Sequence, residues 1–171
     1  VRRQIETDIF VPLMERLHEL LGDTIEAEER ALQFKVRSAR GLPQSFFGIP
    51  VDHISPSSWE SAVFGLAAIA THTLPCDKLD ALLAAAKEIP ALYVREHPHC
   101  VSARGVVEKH LGADDFLPIF IYVLVNADIH ELAYLNCVLT ALCDPDKRLS
   151  ETGYYVATFE AAVQHIKDIE L

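Results

Sequence analysis

The chain has 171 residues, half of them hydrophobic and 23% charged, which suits one globular domain rather than a disordered segment. Its formal charge of −10 repels phosphate backbones and anionic headgroups, so it excludes direct nucleic-acid binding as a primary role. The acidity serves either a basic partner face or solubility alone.

Ile5, Ile9, Leu13 and Leu17 recur every fourth residue and predict an opening helix, with Pro12 expected to kink or break it. Asp23-Thr24-Ile25-Glu26 has the form of a capping box and predicts a second, more charged helix through about Val36. Residues 41–58 hold Gly41, Pro43, Gly48, Pro50 and Pro56 and form the longest irregular stretch. Ser57-Ser58-Trp59-Glu60, another capping box, predicts a third helix from near Ser57 through Ala70. Pro75 suits the first position of a fourth, with Leu79, Leu82, Leu83 and Ile89 inward and Pro90 expected to interrupt it.

A short helix is expected from Ser102 to about Leu111. Asp114 opens a helix apolar on all sides, as a central core helix is. The next helix, about Ile129 to Cys143, carries Leu132, Leu135, Val138, Leu139 and Leu142, and Asp144-Pro145-Asp146 ends it. The last runs from about Tyr155 to Ile169, with Phe159, Val163 and Ile166 inward. No stretch alternates with period two, so the expected fold is all-α: one layered helical bundle over residues 1–171, with opening helices in 1–36 and a core in 57–171. The longest apolar run, Phe116 to Val125, is about half of the ~20 residues a membrane span needs, so no direct membrane insertion is expected. Cys76, Cys100, Cys137 and Cys143 lack CxxC spacing and suit reduced intracellular thiols. No signal peptide is visible, and Val1 suggests a fragment of a longer protein.

Among groups that could carry chemistry, Asp114-Asp115 stand first, at the mouth of the oily helix. One of them as a cap against the helix dipole is the simplest reading, and the other is then left over. As a hydrolytic pair they fail, because adjacent residues on one turn diverge instead of converging across a cleft. In Gly153-Tyr154-Tyr155 the glycine suits a tight turn before the last helix. Either one tyrosine is exposed for an interface or both are partly buried. His97-Pro98-His99-Cys100 lacks a further pair at a spacing that would complete a tetrahedral metal site. Phosphate-loop, GxSxG and HExxH motifs are absent, so a protein-binding module fits better than a hydrolase.

Gly112-Ala113-Asp114-Asp115-Phe116-Leu117-Pro118-Ile119-Phe120-Ile121-Tyr122-Val123 closely resembles the signature of the vacuolar-protein-sorting-nine domain. Leu74-Pro75-Cys76-Asp77-Lys78-Leu79 is similar to that family's Pro-x-x-Lys-Leu helix start, and Glu151-Thr152-Gly153-Tyr154-Tyr155 to its Gly-Glu-x-x-Tyr turn. Phe159 to Ile166 and Ile5 to Leu21 resemble its closing and opening helices. The resemblance implies an all-α guanine-nucleotide exchange factor for Rab GTPases of the Rab-five group, cytoplasmic and recruited peripherally to endosomes. It implies no cofactor, since Mg²⁺ belongs to the GTPase. It makes Asp114 the acidic finger, with Pro118 and Tyr154 at the GTPase-binding surface; Ala157 stands where a threonine is common. Ser150 replaces a frequent glycine, and Asn126-Ala127-Asp128-Ile129 replaces Lys-Ala-Asn-Pro. These departures permit an alternative, a Rab-binding module lacking exchange activity. The oligomeric state is not readable from the sequence.

Overall fold

One helix runs where two were expected. The computed structural model describes residues 2–98, 111–142 and 150–171, and in it α1 is continuous over Arg2–Ala39. Pro12 removes the N–H that would bond the Asp8 carbonyl, but both residues are exposed, so solvent is free to satisfy that carbonyl. The Asp23–Glu26 box starts nothing: Thr24 Oγ1 donates back to the Leu20 carbonyl at 3.2 Å and the helix passes through. Ile5, Ile9 and Leu13 share a face, yet they are 50–58% exposed. The buried face of α1 instead passes through Phe10, Ile25, Leu32, Val36 and Ala39.

The segment after α1 makes two tight turns, Gln44–Phe47 and Val51–His53. Helix α2 spans Glu60–Ala67 and tightens into a narrower turn at Ala68–Thr71. It starts later than its capping box predicts, because Ser58 and Trp59 take left-handed φ of 56° and 59° and no side chain caps the helix. A left-handed bulky residue costs roughly 1–2 kcal/mol. Here that is offset by complete burial of the Trp59 indole, whose Nε1–H donates to Gln44 Oε1 at 2.9 Å.

Helix α3 (Pro75–Glu96) begins on the expected proline and runs through Pro90 uninterrupted. Ile89, Leu92 and Tyr93 stay buried on the helical period, and their burial outweighs the one hydrogen bond lost at Pro90. Helix α4 (Ala113–Asn126) is the central element, with every residue from Ile119 to Val125 buried. It packs against α1, α2, α3 and α6 (Glu151–Asp168); α5 (Leu132–Leu142) packs on α1, α3 and α6. Leu132, Leu135, Val138 and Leu139 on α5, and Phe159, Val163 and Ile166 on α6, face inward as expected. The fold is all-α, and no strand occurs among the described residues. The expected helix at 102–111, apart from the non-helical Leu111, and the Asp144-Pro145-Asp146 stop, Cys100, Cys143 and His99 lie outside the described residues.

Two carboxylates on α1 receive the N-termini of other helices. Glu29 accepts the N–H groups of Leu132 and Ala133, at 2.9 and 2.7 Å, and so serves as the missing cap of α5. Glu6 accepts the Cys76 N–H at 2.7 Å at the start of α3. Burial alone raises the Glu6 pKa, but the Cys76 N–H and Arg2 outweigh it and hold the carboxyl below its usual range. Its contribution to stability is therefore present above the ordinary carboxylate range and is lost as pH falls through the depressed value. Glu29→Ala should cost about 1–2 kcal/mol, by analogy with the loss of an N-cap. A urea midpoint equal to that of the wild type would show that the cap contributes nothing.

Candidate functional site

Gly112, in extended conformation (φ −71°, ψ 164°), leads into α4 without a side-chain cap. Asp114 and Asp115 occupy the second and third helical positions, inside the first turn, where a carboxylate meets the positive end of the helix dipole. The side-chain cap favoured by spacing is therefore not formed at Gly112, and the two aspartates separate. Asp114 is exposed at the surface. Asp115 is half-buried, its Oδ1 3.4 Å from Nδ1 of the buried His53.

Pro118 lies one turn after Asp114 on the same helical face and is half-buried. Having no N–H, it leaves the Asp114 carbonyl without its intrahelical partner, although the helix runs on without a break. The first turn stands on a packed base, because Phe116 stacks on Phe120 at 5.8 Å and both are buried.

The start of α6 lies beside the start of α4. Tyr155 packs at a tilt on Phe116, with ring centroids 6.0 Å apart, and Tyr154 meets Tyr155 edge-on at 5.2 Å. Gly153 and both tyrosines lie within α6, not in a turn before it, because the Tyr154 N–H already bonds the Ser150 carbonyl at 3.1 Å. Tyr154 is 49% exposed and Tyr155 half-buried, so one ring is available at the surface and one belongs to the packing. Ala157 is exposed one turn further along. Thr158 does not replace a threonine at that position: it is buried, and its hydroxyl donates to the Tyr154 carbonyl at 2.9 Å.

Glu151, in the first turn of α6, pairs with Lys87 of α3 at 2.7 Å. That contact raises the Lys87 pKa. Burial, followed by the Glu151 charge, raises the Tyr155 hydroxyl. The Asn126–Ile129 departure sits at the opposite end of α4, about 20 Å along the helix from Asp114. There Asn126 Oδ1 accepts the Gly41 N–H at 3.3 Å and Arg40 pairs with Asp128, so the change ties α4 to the end of α1 and leaves the Asp114 end untouched.

The arrangement presents a carboxylate and an aromatic ring on adjacent helix starts. A cavity of about 530 Å³ lies elsewhere, lined by Met14, His18, Lys78, Glu131 and Tyr134 among others, and includes none of Asp114, Pro118, Tyr154 or Ala157. Among the described residues no cluster could hold a metal ion, and no helix is long and apolar enough to cross a membrane. His97 is buried, stacked on Tyr93, with Nδ1 2.9 Å from the Tyr93 carbonyl, which accounts for it as a packing residue. Cys76 and Cys137 are free thiols whose pKa values burial raises, which does not suit a nucleophile. The contact that the sequence conceals is His53 with Asp115: it joins the irregular segment to α4, and no periodicity or motif marks it.

The family model for the Vacuolar sorting protein 9 (VPS9) domain matches residues 59–171, more than half of the chain. The chain is similar to Ras and Rab interactor 3 from Mus musculus, 38% identical over 68 residues, which are 40% of this chain and 7% of that protein. Over 150 residues it is 24% identical to the human Rab5 GDP/GTP exchange factor, covering 85% of this chain and 28% of that protein. It is 26% identical over 154 residues to a Xenopus laevis GTPase-activating protein and VPS9 domain-containing protein 1, covering 88% of this chain and 9% of that one. The chain thus spans less than a third of the length of each of these relatives.

Proposed function

The chain belongs to the Vacuolar sorting protein 9 (VPS9) domain family, and on that premise we propose that it promotes GDP release from a Rab5-type small GTPase, with Asp114 as the acidic finger. The reading is carried by one observation: Asp114 is exposed on the first turn of a helix whose residues Ile119 to Val125 are all buried. A rigidly mounted carboxylate enters a partner's site without first being ordered, which a loop-borne one cannot do. The relative named Rab5 GDP/GTP exchange factor supports the choice of partner.

GDP is held in such a GTPase by backbone donors, a phosphate-loop lysine and Mg²⁺. The Asp114 carboxylate competes for the lysine and the Mg²⁺ position while repelling the β-phosphate. Each 1.4 kcal/mol so removed speeds release about tenfold. Tyr154, Ala157 and Pro118 form the surface that grips the displaced switch segments. The domain makes and breaks no covalent bond, and it acts at the cytoplasmic face of endosomal membranes.

Tyr154→Ala should raise the half-saturating concentration of the domain in a GDP-release titration about tenfold or more, as loss of an interface aromatic does. The rate at saturation should change far less. An unchanged titration curve would remove Tyr154 from the interface. The exposed methyl at Ala157, with the Thr158 hydroxyl spent on its own helix, favours one second reading, a Rab-binding module without exchange activity. A domain that binds the GTPase and leaves GDP release at its spontaneous rate would establish that reading.

A further inference from the structure

His53 ends the short turn Val51–His53, is only 6% exposed, and lies between the irregular segment, α3 and the start of α4. Its ring stands perpendicular to that of Tyr93, centroids 5.3 Å apart, and His97 stacks on the same tyrosine at 4.4 Å. Each imidazole nitrogen faces a carboxylate: Nδ1 is 3.4 Å from Asp115 Oδ1, and Nε2 is 3.8 Å from Asp52 Oδ2. Neither nitrogen has an aligned hydrogen bond among the described residues, although both atoms are buried. A buried polar atom left so is costly unless a partner closes on it. Asp115 is the nearer partner and the more enclosed, with 35% of its side chain exposed against 64% for Asp52. The other Asp115 oxygen sits over the start of the helix, 3.4 Å from where a β-carbon on Gly112 would lie. The Asp115 carboxylate thus lies between His53 and Gly112, the residue that leads into α4.

We propose that His53 is a positioning residue for nucleotide exchange: its Nδ1–H holds the Asp115 carboxylate, and through it fixes the first turn of α4 so that Asp114 alone points toward the partner. This rests on the reading of Asp114 as the acidic finger. Two neighbouring carboxylates left loose at one helix start repel each other and spread over several directions. Drawing Asp115 back to a buried imidazole leaves one carboxylate aimed outward. The contact is long in the free protein and tightens on docking, as polar contacts at active sites commonly do.

The test is a GDP-release titration, resolved into maximal rate and half-saturating concentration, on wild type, His53→Leu, His53→Asn, Asp115→Ala, the double variant His53→Leu/Asp115→Ala and Asp114→Ala. His53→Leu and Asp115→Ala should each lower the maximal rate about tenfold, a loss of about 1.4 kcal/mol, without a matching change in half-saturation. His53→Asn keeps an N–H near the Nδ1 position and should recover most of that rate. The double variant should be no slower than either single one, since both remove the same contact. An Asp115→Ala rate equal to wild type overturns the proposal, and so does a His53→Asn rate as low as that of His53→Leu, which would mean lost packing alone. If His53→Leu fails to fold, Asp115→Ala at its half-exposed position decides the matter. Full exchange by Asp114→Ala overturns the finger itself, whereas an inactive Asp114→Ala beside a fully active Asp115→Ala overturns only the role of His53.

Discussion

Asp114→Ala is expected to slow exchange roughly ten- to hundredfold, the loss of one charge-assisted contact of about 1.5–3 kcal/mol. Its stability should hardly move. The side chain is exposed in the first turn of α4, and what it contributes to the fold is its attraction to the helix dipole, about 0.3–1 kcal/mol. Phe116, Ile119 and Phe120, which hold the helix in place, are untouched by the change. Separation of a large kinetic loss from a small thermal one is the signature of a group that acts on a partner. Wild-type release of a fluorescent GDP analogue by this variant would remove the finger assignment. If Asp115→Ala abolished exchange while Asp114→Ala did not, the two aspartates would have exchanged roles.

Trp59→Ala should have the largest effect on stability, about 3–5 kcal/mol, a substantial part of the 5–15 kcal/mol that holds a typical domain folded. Trp59 is completely buried and ties the irregular segment to the bundle. Gln44 Oε1 accepts from its Nε1–H at 2.9 Å and from the Ser55 N–H at 3.0 Å, while Gln44 Nε2 donates to the Ser55 carbonyl at 2.8 Å. The Trp59 N–H itself bonds Ser55 Oγ at 3.0 Å. Removing the indole leaves a cavity and takes one partner from a buried amide. Trp59→Phe keeps most of the volume and loses the N–H, so it should fall between wild type and Trp59→Ala in urea unfolding. A Trp59→Phe midpoint equal to wild type would show that the bond to Gln44 contributes nothing. Both variants loosen the segment that carries His53, so exchange should be compared at temperatures where each is folded.

The helices with one strong sequence signal each lie where that signal put them. Pro75 begins α3, the unbroken apolar run makes α4 the core, and the Leu and Val pattern of α5 faces inward. The signals that misled are those whose outcome depends on surroundings. Pro12 breaks nothing because it and Asp8, whose carbonyl it orphans, are both exposed to solvent, and Pro90 breaks nothing because its neighbours are pinned in the core. The two capping boxes are overridden, one by continuation of α1 and the other by the Trp59 knot. The true cap of α5, Glu29, stands 103 residues before the N–H of Leu132 and has no local sequence signature.

The same distinction runs through the candidate site. Spacing favoured a helix cap for the aspartate pair, and only the family resemblance singled out Asp114. Asp115 is set apart by a histidine 62 positions earlier in sequence, a contact visible only once the irregular segment has folded back on α4. Tyr154 and Tyr155 could not both face the core, and the structure exposes the first of them.

The central claim is nucleotide exchange, and GDP release from a panel of endosomal Rab GTPases tests it most directly. The account predicts that the chain accelerates release from a Rab5-type GTPase in a saturable manner and leaves more distant members near their spontaneous rates. Release at the spontaneous rate from every member of the panel, at domain concentrations where binding is demonstrable, would contradict it.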